Sequence, residues 1–367
     1  MAEKRISLFI PTLEVGGAER VAVNLAKGFI DQGLQVDLVL VKARGPLMKL
    51  VPKSVAIVDL GKRRTLHAIP DLVTYLKSAQ PNALIAFMNH ANVVAAIAAS
   101  WARSKGKLVL SEHNSIQHDL VEKGGLKHRL TLWLMRRLYG KADKVIAVST
   151  HIQYELEKLI GLTNAVCINN PISIVNGTDM PPMVKMRPRP NVAGDFSLLA
   201  IGRLAPQKNY SLLIKSIDIV RKHVPVKLVI LGEGDERSKL EMLVRELDLE
   251  DHVFLPGYAE KPGMWFSKTD LFVLSSSWEG LPLVIAEALA MGVTVVATDC
   301  QSGPAEILEN GKYGYLVPVN DPEKLAKAIM YALKNPLDPE MLKKRAEDFS
   351  IPRITDEYLK VIFPEEL

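Results

Sequence analysis

Short apolar runs recur along the chain, each pair separated by enough residues for one helix. In the first half they are Ile6–Ile10, Val36–Val41, Val55–Leu60, Ala83–Phe87, Lys107–Leu110 and Lys144–Val148. After a break they resume as Leu198–Ile201, Lys227–Leu231, Val253–Leu255, Leu271–Leu274 and Val293–Ala297. Runs this short, without polar alternation, read as strands buried on both faces, and alternation with helical stretches predicts parallel sheets covered on both sides. The break runs from Asn170 to Gly194 and holds Pro171, Gly177, Pro181, Pro182, Pro188 and Pro190. No helix or central strand tolerates that proline density. The expected organisation is a domain over 1–170, a linker over 171–194, a second domain over 195–349, and a C-terminal helix over 350–367 packing back on the first domain. A chain of 367 residues is long enough for two such cores.

Two open parallel sheets facing one another make a cleft, and ligands collect beyond the carboxyl ends of the strands. Residues just after strands are therefore the first candidates for chemistry. Gly16-Gly17-Ala18-Glu19-Arg20 follows the first strand and opens a helix expected over Ala18–Phe29. Two glycines permit close backbone approach, and a helix N-terminus presents unpaired N–H groups to an anion. The G-x-G-x-x-G spacing of a dinucleotide site is absent, and a tight turn explains the glycines equally well. Gly202-Arg203-Leu204-Ala205-Pro206-Gln207-Lys208-Asn209 follows the first strand of the second half. Its two cations, beside a helix starting near Asn209, suit a diphosphate, although solvated loop cations would look the same.

A third segment runs from Ser277 to Ala288, with Glu279 in a turn, Pro282 suited to a first helical turn, and Glu287 within the helix. A carboxylate on that apolar stretch costs several kcal/mol unless partnered, and sugar or ribose hydroxyls are good partners. Two histidines also follow strands, His90 in Asn89-His90-Ala91 and His113 in Ser111-Glu112-His113-Asn114. His90 reads equally as the N-terminal turn of a helix over Ala91–Arg103, so His113 is favoured.

Charge changes the picture in one respect. Residues 1–170 carry 23 Lys/Arg against 13 Asp/Glu (+10), and residues 171–367 carry 23 against 28 (−5). A basic first half suits an anionic partner such as a membrane surface or a diphosphate-bearing lipid, against the plainer reading of a solvated surface. Helix-turn-helix, zinc and aromatic-platform signatures are missing, which disfavours nucleic acid. The segment Leu126–Lys141 is a basic helix with imperfect segregation, in which Leu126, Leu130, Trp133 and Leu134 share one face and Arg137 intrudes on it. The two cysteines, Cys167 and Cys300, form no metal or disulfide framework. An apolar strand at Arg5–Pro11 leaves no room for a signal peptide, and no run of about 18 apolar residues spans a membrane.

The run Glu279-Gly280-Leu281-Pro282 through Glu287 resembles the E-x7-E signature of glycosyltransferase family 4. Gly-Gly after the first strand, G-R-L-x-x-x-K-N and Gly232-Glu233-Gly234 stand in that family's order, so the resemblance covers nearly the whole chain. It implies the GT-B architecture, α/β with two Rossmann-like domains, and a retaining transfer from a UDP-sugar. It further implies that Arg203 and Lys208 bind the donor diphosphate, Glu279 the donor sugar and Glu287 the ribose. Gly257 would lie near the base, Gly16, Gly17, Gly280 and Leu281 would line the donor, and His113 would face sugar or acceptor. Ser302–Leu308 resembles a donor-side loop of enzymes using UDP-HexNAc or UDP-hexose, and a Gly-Pro turn is the alternative.

Within the family, the chain resembles the GalNAc and related transferases that extend undecaprenyl-diphosphate-linked oligosaccharides. The resemblance then implies a lipid-diphosphate-linked acceptor, peripheral attachment to the inner face of the cell membrane, and contacts from Lys62, Arg63, Arg64, Arg129, Arg136 and Arg137. The long basic helix by which a processive member counts its additions has no match in Gly61–Lys77, where the cations bunch before Pro70 and Asp71. No Asp-x-Asp occurs in the chain, so neither metal nor cofactor is expected. Rival readings are a UDP-sugar epimerase of the same fold and a transferase with a soluble or other lipid acceptor. A PLP-dependent phosphorylase lacks a convincing lysine, and a non-catalytic nucleotide-binding module would be expected to have lost His113, Arg203 or Glu279.

Overall fold

The computed structural model describes residues 4–117, 125–173, 195–259 and 263–365, without the side chains of 125–131. Most of the expected linker, 174–194, and the side chain of Arg129 lie outside the described residues. The chain forms two units: Met1–Ile172 together with Phe349–Leu367, and Ser173–Asp348.

In the first unit the strands are β1 (Arg5–Ile10), β2 (Gln35–Leu40), β3 (Ala56–Asp59), β4 (Ala83–Phe87), β5 (Lys107–Glu112), β6 (Lys144–Ala147) and β7 (Ala165–Cys167). They form one parallel sheet of order β3-β2-β1-β4-β5-β6-β7, with Ile6 of β1 opposite Val36 on one side and Ala83 on the other. In the second unit β8 (Phe196–Ile201), β9 (Val226–Leu231), β10 (Val253–Gly257), β11 (Leu271–Leu274), β12 (Thr294–Thr298) and β13 (Tyr315–Val317) form a parallel sheet of order β10-β9-β8-β11-β12-β13. The central strands are buried on both faces; all five residues of β4 and of β12 are buried. That burial requires the unbroken apolar runs seen in the sequence. The apolar pattern missed only β7 and β13. Both are three-residue strands at a sheet edge, partly exposed, with too little apolar length to register.

In each sheet the chain steps outward in one direction and then returns to build the other side. The reversal falls between β1 and β4 in the first sheet and between β8 and β11 in the second. The loops after those four strands open at topological switch points, where ligands bind in sheets of this kind.

The last helix, Ile351–Ile362, belongs to the first unit and packs on the helix Gly17–Asp31 through Ile351, Ile354, Thr355, Tyr358 and Ile362. The approach is close because residue 28 is glycine. A Cβ there would stand 2.0 Å from Thr355 Oγ1 and 2.9 Å from Ile351 Cγ2. Ile172 N–H donates to Phe349 O at 2.8 Å, tying the returning chain to the end of the unit's first segment.

The basic helix spans Gly125–Tyr139. Met135 and Tyr139 are buried while Trp133 is 53% exposed, so the side that packs is not the face that carries Trp133 and Arg137. The phase is set by Met135 and Tyr139, one turn apart, and Trp133 lies under the Arg137 guanidinium, 5.6 Å from the ring centre. Among the described residues no helix is long and apolar enough to cross a membrane.

Candidate functional site

In the second unit the loops leaving β8, β9 and β10 are laced together by backbone bonds. Gly202 N–H donates to Leu231 O, Gly232 N–H to Gly257 O, and Leu204 N–H to Glu233 O, each at 2.9 Å. This lacing depends on glycine at 232. With φ +154 there, a Cβ would fall 1.9 Å from Gly202 O. Gly257 has φ +98, and its own Cβ would press on Glu233 Oε1, which is engaged by Arg237. The tripeptide Gly232-Glu233-Gly234 thus buttresses the loop that carries Arg203 and Lys208.

Lys208 and Glu279 meet across the switch point, Lys208 from the loop after β8 and Glu279 from the loop after β11. Lys208 Nζ lies 2.5 Å from Glu279 Oε1, and Ser276 Oγ donates to the same oxygen at 2.6 Å. Gln207 Nε2 reaches Glu279 Oε2 at 3.4 Å and Trp278 O at 3.0 Å. The pair is largely buried, with Lys208 16% and Glu279 7% exposed. The backbone locks the same arrangement, since Ser275 Oγ donates to Lys208 O at 2.8 Å and Ser277 N–H to Gln207 O at 2.8 Å.

The remaining hydrogen-bonding capacity is what a ligand would use. An ammonium has three donors, and Lys208 commits one to protein among the described residues. Among the described residues Glu279 Oε2 holds only the long contact to Gln207. Arg203 is exposed, and its guanidinium makes no hydrogen bond or ion pair among the described residues. Tyr210 OH is buried beside Gly202 without a partner among the described residues, and burial together with the Glu279 charge raises its pKa, keeping it protonated.

Ser302 Oγ donates to Gly280 O at 2.8 Å, and Gly303, with φ +91, sits where a Cβ would strike Pro282 Cδ at 2.5 Å. The segment Ser302–Leu308 therefore lies against the Gly280–Leu281 turn. Glu287 occupies the helix Leu283–Ala290 on its partly exposed stripe with Val284 and Ala290. Cys300 is buried close by. Burial and the Glu279 charge push its thiol up to about 12, which makes it an inert packing group.

In the first unit the switch point carries Gly16 and Gly17 after β1, with Met88 and His90 after β4. Gly16 is the N-cap of the helix Gly17–Asp31, and the Glu19 carboxylate folds back so closely that a Cβ on Gly16 would lie 2.2 Å from it. An acidic side chain therefore already stands at the helix start where an anion was considered. His90 is exposed in the first turn of the helix Asn89–Ala102.

His113 follows β5, one strand beyond. It is 8% exposed, Nε2 lies 3.0 Å from Ser111 Oγ, and its ring packs against Phe87 at 5.7 Å between centres. Burial lowers its pKa to about 3, so the ring is neutral at physiological pH.

Two features here were not legible in the sequence. Met88 has φ +76, a conformation costly for a side-chain-bearing residue, and it sits at the switch point. Glu155 is buried, accepting from Ser115 Oγ at 2.8 Å and Ile116 N–H at 2.7 Å, which anchors the loop after His113. No local pattern marks either.

The cations expected at an acceptor or membrane sit in different surroundings. Lys62 pairs with Asp71 at 3.1 Å, Arg136 donates to Leu159 O at 2.8 Å, and Arg137 covers Trp133. Arg63 and Arg64 are exposed, with no side-chain partner among the described residues.

Comparison with known proteins agrees with this layout. Residues 15–175 match Glycosyltransferase Family 4, and residues 185–349 match Glycosyl transferases group 1. An uncharacterized glycosyltransferase of Methanocaldococcus jannaschii is 30% identical over 65% of this chain and 68% of its own. The N-acetylgalactosamine-N,N'-diacetylbacillosaminyl-diphospho-undecaprenol 4-alpha-N-acetylgalactosaminyltransferase of Campylobacter jejuni is 27% identical over 98% of this chain and 99% of its own. Among solved structures, Anabaena HepE in complex with UDP and glucose has the same fold, with a TM-score of 0.79 at 22% identity, over 98% of this chain and 99% of that one. With two parallel-sheet units of the GT-B type and the motifs at their strand ends, the chain belongs to the family 4 glycosyltransferases.

Proposed function

We propose that this glycosyltransferase moves a HexNAc, such as GalNAc, from a UDP-sugar to a polyisoprenoid-diphosphate-linked glycan, with retention and without a metal. The observation that carries the reading is the switch-point pair, in which Lys208 keeps donors open beside the anchored Glu279 carboxylate, with Arg203 exposed on the same loop as Lys208. Two cations suit the diphosphate, and Glu279 Oε2 suits a sugar hydroxyl. In the reaction the C1–O bond to the diphosphate breaks and the acceptor hydroxyl oxygen bonds C1 on the same face. Its proton passes to the departing phosphate oxygen. Arg203 and Lys208 stabilise the charge that the diphosphate gains. UDP is favoured because HepE was solved with UDP, and the lipid-linked acceptor because the Campylobacter relative is named for one.

The test is a panel of nucleotide sugars assayed for transfer and hydrolysis, with and without EDTA. A UDP-HexNAc is expected to react and EDTA to leave turnover unchanged. Tighter binding of GDP or ADP than of UDP by calorimetry, or loss of turnover in EDTA restored by Mg²⁺, would overturn those parts of the reading. Interconversion of the donor's own sugar without an acceptor would identify an epimerase.

Membrane attachment at the inner face is proposed through the basic first unit, with Arg63 and Arg64 as its open cations and each worth about 1 kcal/mol at an anionic surface. Flotation with anionic liposomes is expected at low salt and lost at high salt, as the Debye length falls from about 10 Å at 0.1 M to about 3 Å at 1 M. Equal recovery on neutral liposomes would remove this part of the proposal and favour a soluble acceptor.

A further inference from the structure

Asn209 stands between Lys208 and the helix Tyr210–Val220, and its backbone is left-handed, at φ +47 and ψ +47. It closes the turn Pro206–Lys208 and is the N-cap of that helix. An asparagine at an N-cap ordinarily spends its side chain on a free N–H of the first helical turn. This one makes no such bond. Its Nδ2 donates instead to Ser277 Oγ at 3.2 Å and to Asn320 Oδ1 at 3.0 Å. We propose that Asn209 is a positioning residue, a clamp that joins the loops after β8, β11 and β13 and so sets Lys208 against Glu279.

Strand pairing does not account for these contacts. β11 and β12 both separate β8 from β13, so nothing in the ladder brings Asn209 to Asn320. Three consecutive residues of the β8 loop are fastened to the β11 loop. Gln207 O accepts from Ser277 N–H and Lys208 O from Ser275 Oγ, each at 2.8 Å, and the Asn209 amide adds the third bond. Of the three, only the Asn209 bond continues to the β13 loop, where Asn320 is itself left-handed at φ +60. The clamp does not depend on the sense of the amides. Turned over together, Asn209 Oδ1 accepts from the Ser277 hydroxyl and from Asn320 Nδ2, and both contacts persist.

The Asn209 side chain bonds neither Lys208 nor Glu279, so it acts through their backbones. Lysine has a long, flexible stem, and the direction of its remaining donors is set by where its own loop stands relative to the anchored carboxylate. Donors fixed in advance act on developing charge without reorganising, and a displacement of about 1 Å can cost about 10²-fold in rate. The consequence for transfer rests on the donor-site reading given above; the clamp on the Lys208–Glu279 pair does not.

The test uses the full chain. Asn209→Gly removes only the amide, because glycine takes up φ +47 freely. Asn320→Gly removes one arm of the clamp at an exposed position whose φ glycine also accepts. Lys208→Met and Glu279→Gln, singly and together, are melted by scanning calorimetry without ligand in the wild-type, Asn209→Gly and Asn320→Gly backgrounds. The departure of the double variant from the sum of the singles reads the coupling of the pair. That coupling is expected to fall by about half or more in Asn209→Gly, and by less in Asn320→Gly. A residue that merely stabilises the fold lowers every melting temperature alike and leaves the coupling intact, and that result overturns the clamp. Should Asn209→Gly fail to fold, the same comparison in Asn320→Gly decides. In transfer assays Asn209→Gly is expected to lower kcat about 3–30-fold with the donor KM changed less than about twofold. An unchanged kcat overturns its part in the reaction. If no nucleotide sugar is turned over by the wild type, the donor-site reading fails, while the calorimetry still decides the clamp.

Discussion

Replacing Arg203 with alanine is expected to lower kcat by about 10²-fold or more, the scale on which enzymes lose rate when a preorganised donor facing developing charge is removed. Arg203 is held at the end of β8 by the Gly202–Leu231 and Leu204–Glu233 bonds, and its guanidinium makes no internal bond among the described residues. Its removal therefore leaves no buried group stranded, and folding should be little affected. The loss should appear in the chemical step, because the leaving diphosphate carries more charge in the transition state than in the bound donor. Glu287→Ala should behave differently, raising the donor KM through lost ribose contacts while sparing kcat. Steady-state kinetics on the two variants with the active UDP-sugar check both statements. Equal, mild effects would contradict the assigned roles.

Glu279→Ala should be damaging to stability as well as to activity. Lys208 is largely buried and bonded to Glu279 Oε1, so truncation leaves an ammonium with no counter-charge. Breaking one side of a buried pair costs about 3 kcal/mol, which for a unit of this size lowers its melting temperature by roughly 6–12 °C. Ser276 Oγ loses its acceptor at the same time. Changing both members, as Lys208→Met with Glu279→Gln, should recover most of the melting temperature while leaving the enzyme inactive, since no unpaired charge then remains. Scanning calorimetry of the single and double variants decides this. A Glu279→Ala protein that melts with the wild type would show that the pair is not what holds the loops after β8 and β11.

The sequence disclosed the sheets because their central strands are buried on both faces, so each had to be written as an uninterrupted apolar run. It also disclosed the loops after β8 and β11, since a Gly-Arg followed by a Lys, and a Glu-Gly-Leu-Pro turn, sit where strands stop. What it withheld was partnership. Nothing in Lys208 or Glu279 separately says that they bond one another, because the contact arises from strand order, which places β11 beside β8 although β9 and β10 intervene in the chain. Nor could it say which side of the basic helix packs: Met135 and Tyr139 are buried, and Trp133 lies exposed beneath Arg137. Met88 and Glu155 carried no signal at all, their importance lying in a dihedral angle and in long-range hydrogen bonds.

The packing of Ile351–Ile362 against the helix containing Gly28 also sets a schedule for biosynthesis. Ile172 closes the first stretch of its unit, but the helix that covers Gly28 and Phe29 ends at Ile362, after the whole second sheet has been translated. At about 5–20 residues per second, the ribosome needs about 10–40 s to bridge that interval. During it, the nascent first unit holds an open apolar groove where Ile354, Tyr358 and Ile362 will later seat. A stalled or prematurely terminated transcript would thus release a protein with both sheets formed and that groove still wet, a surface of the kind that chaperones and proteases use to recognise unfinished chains.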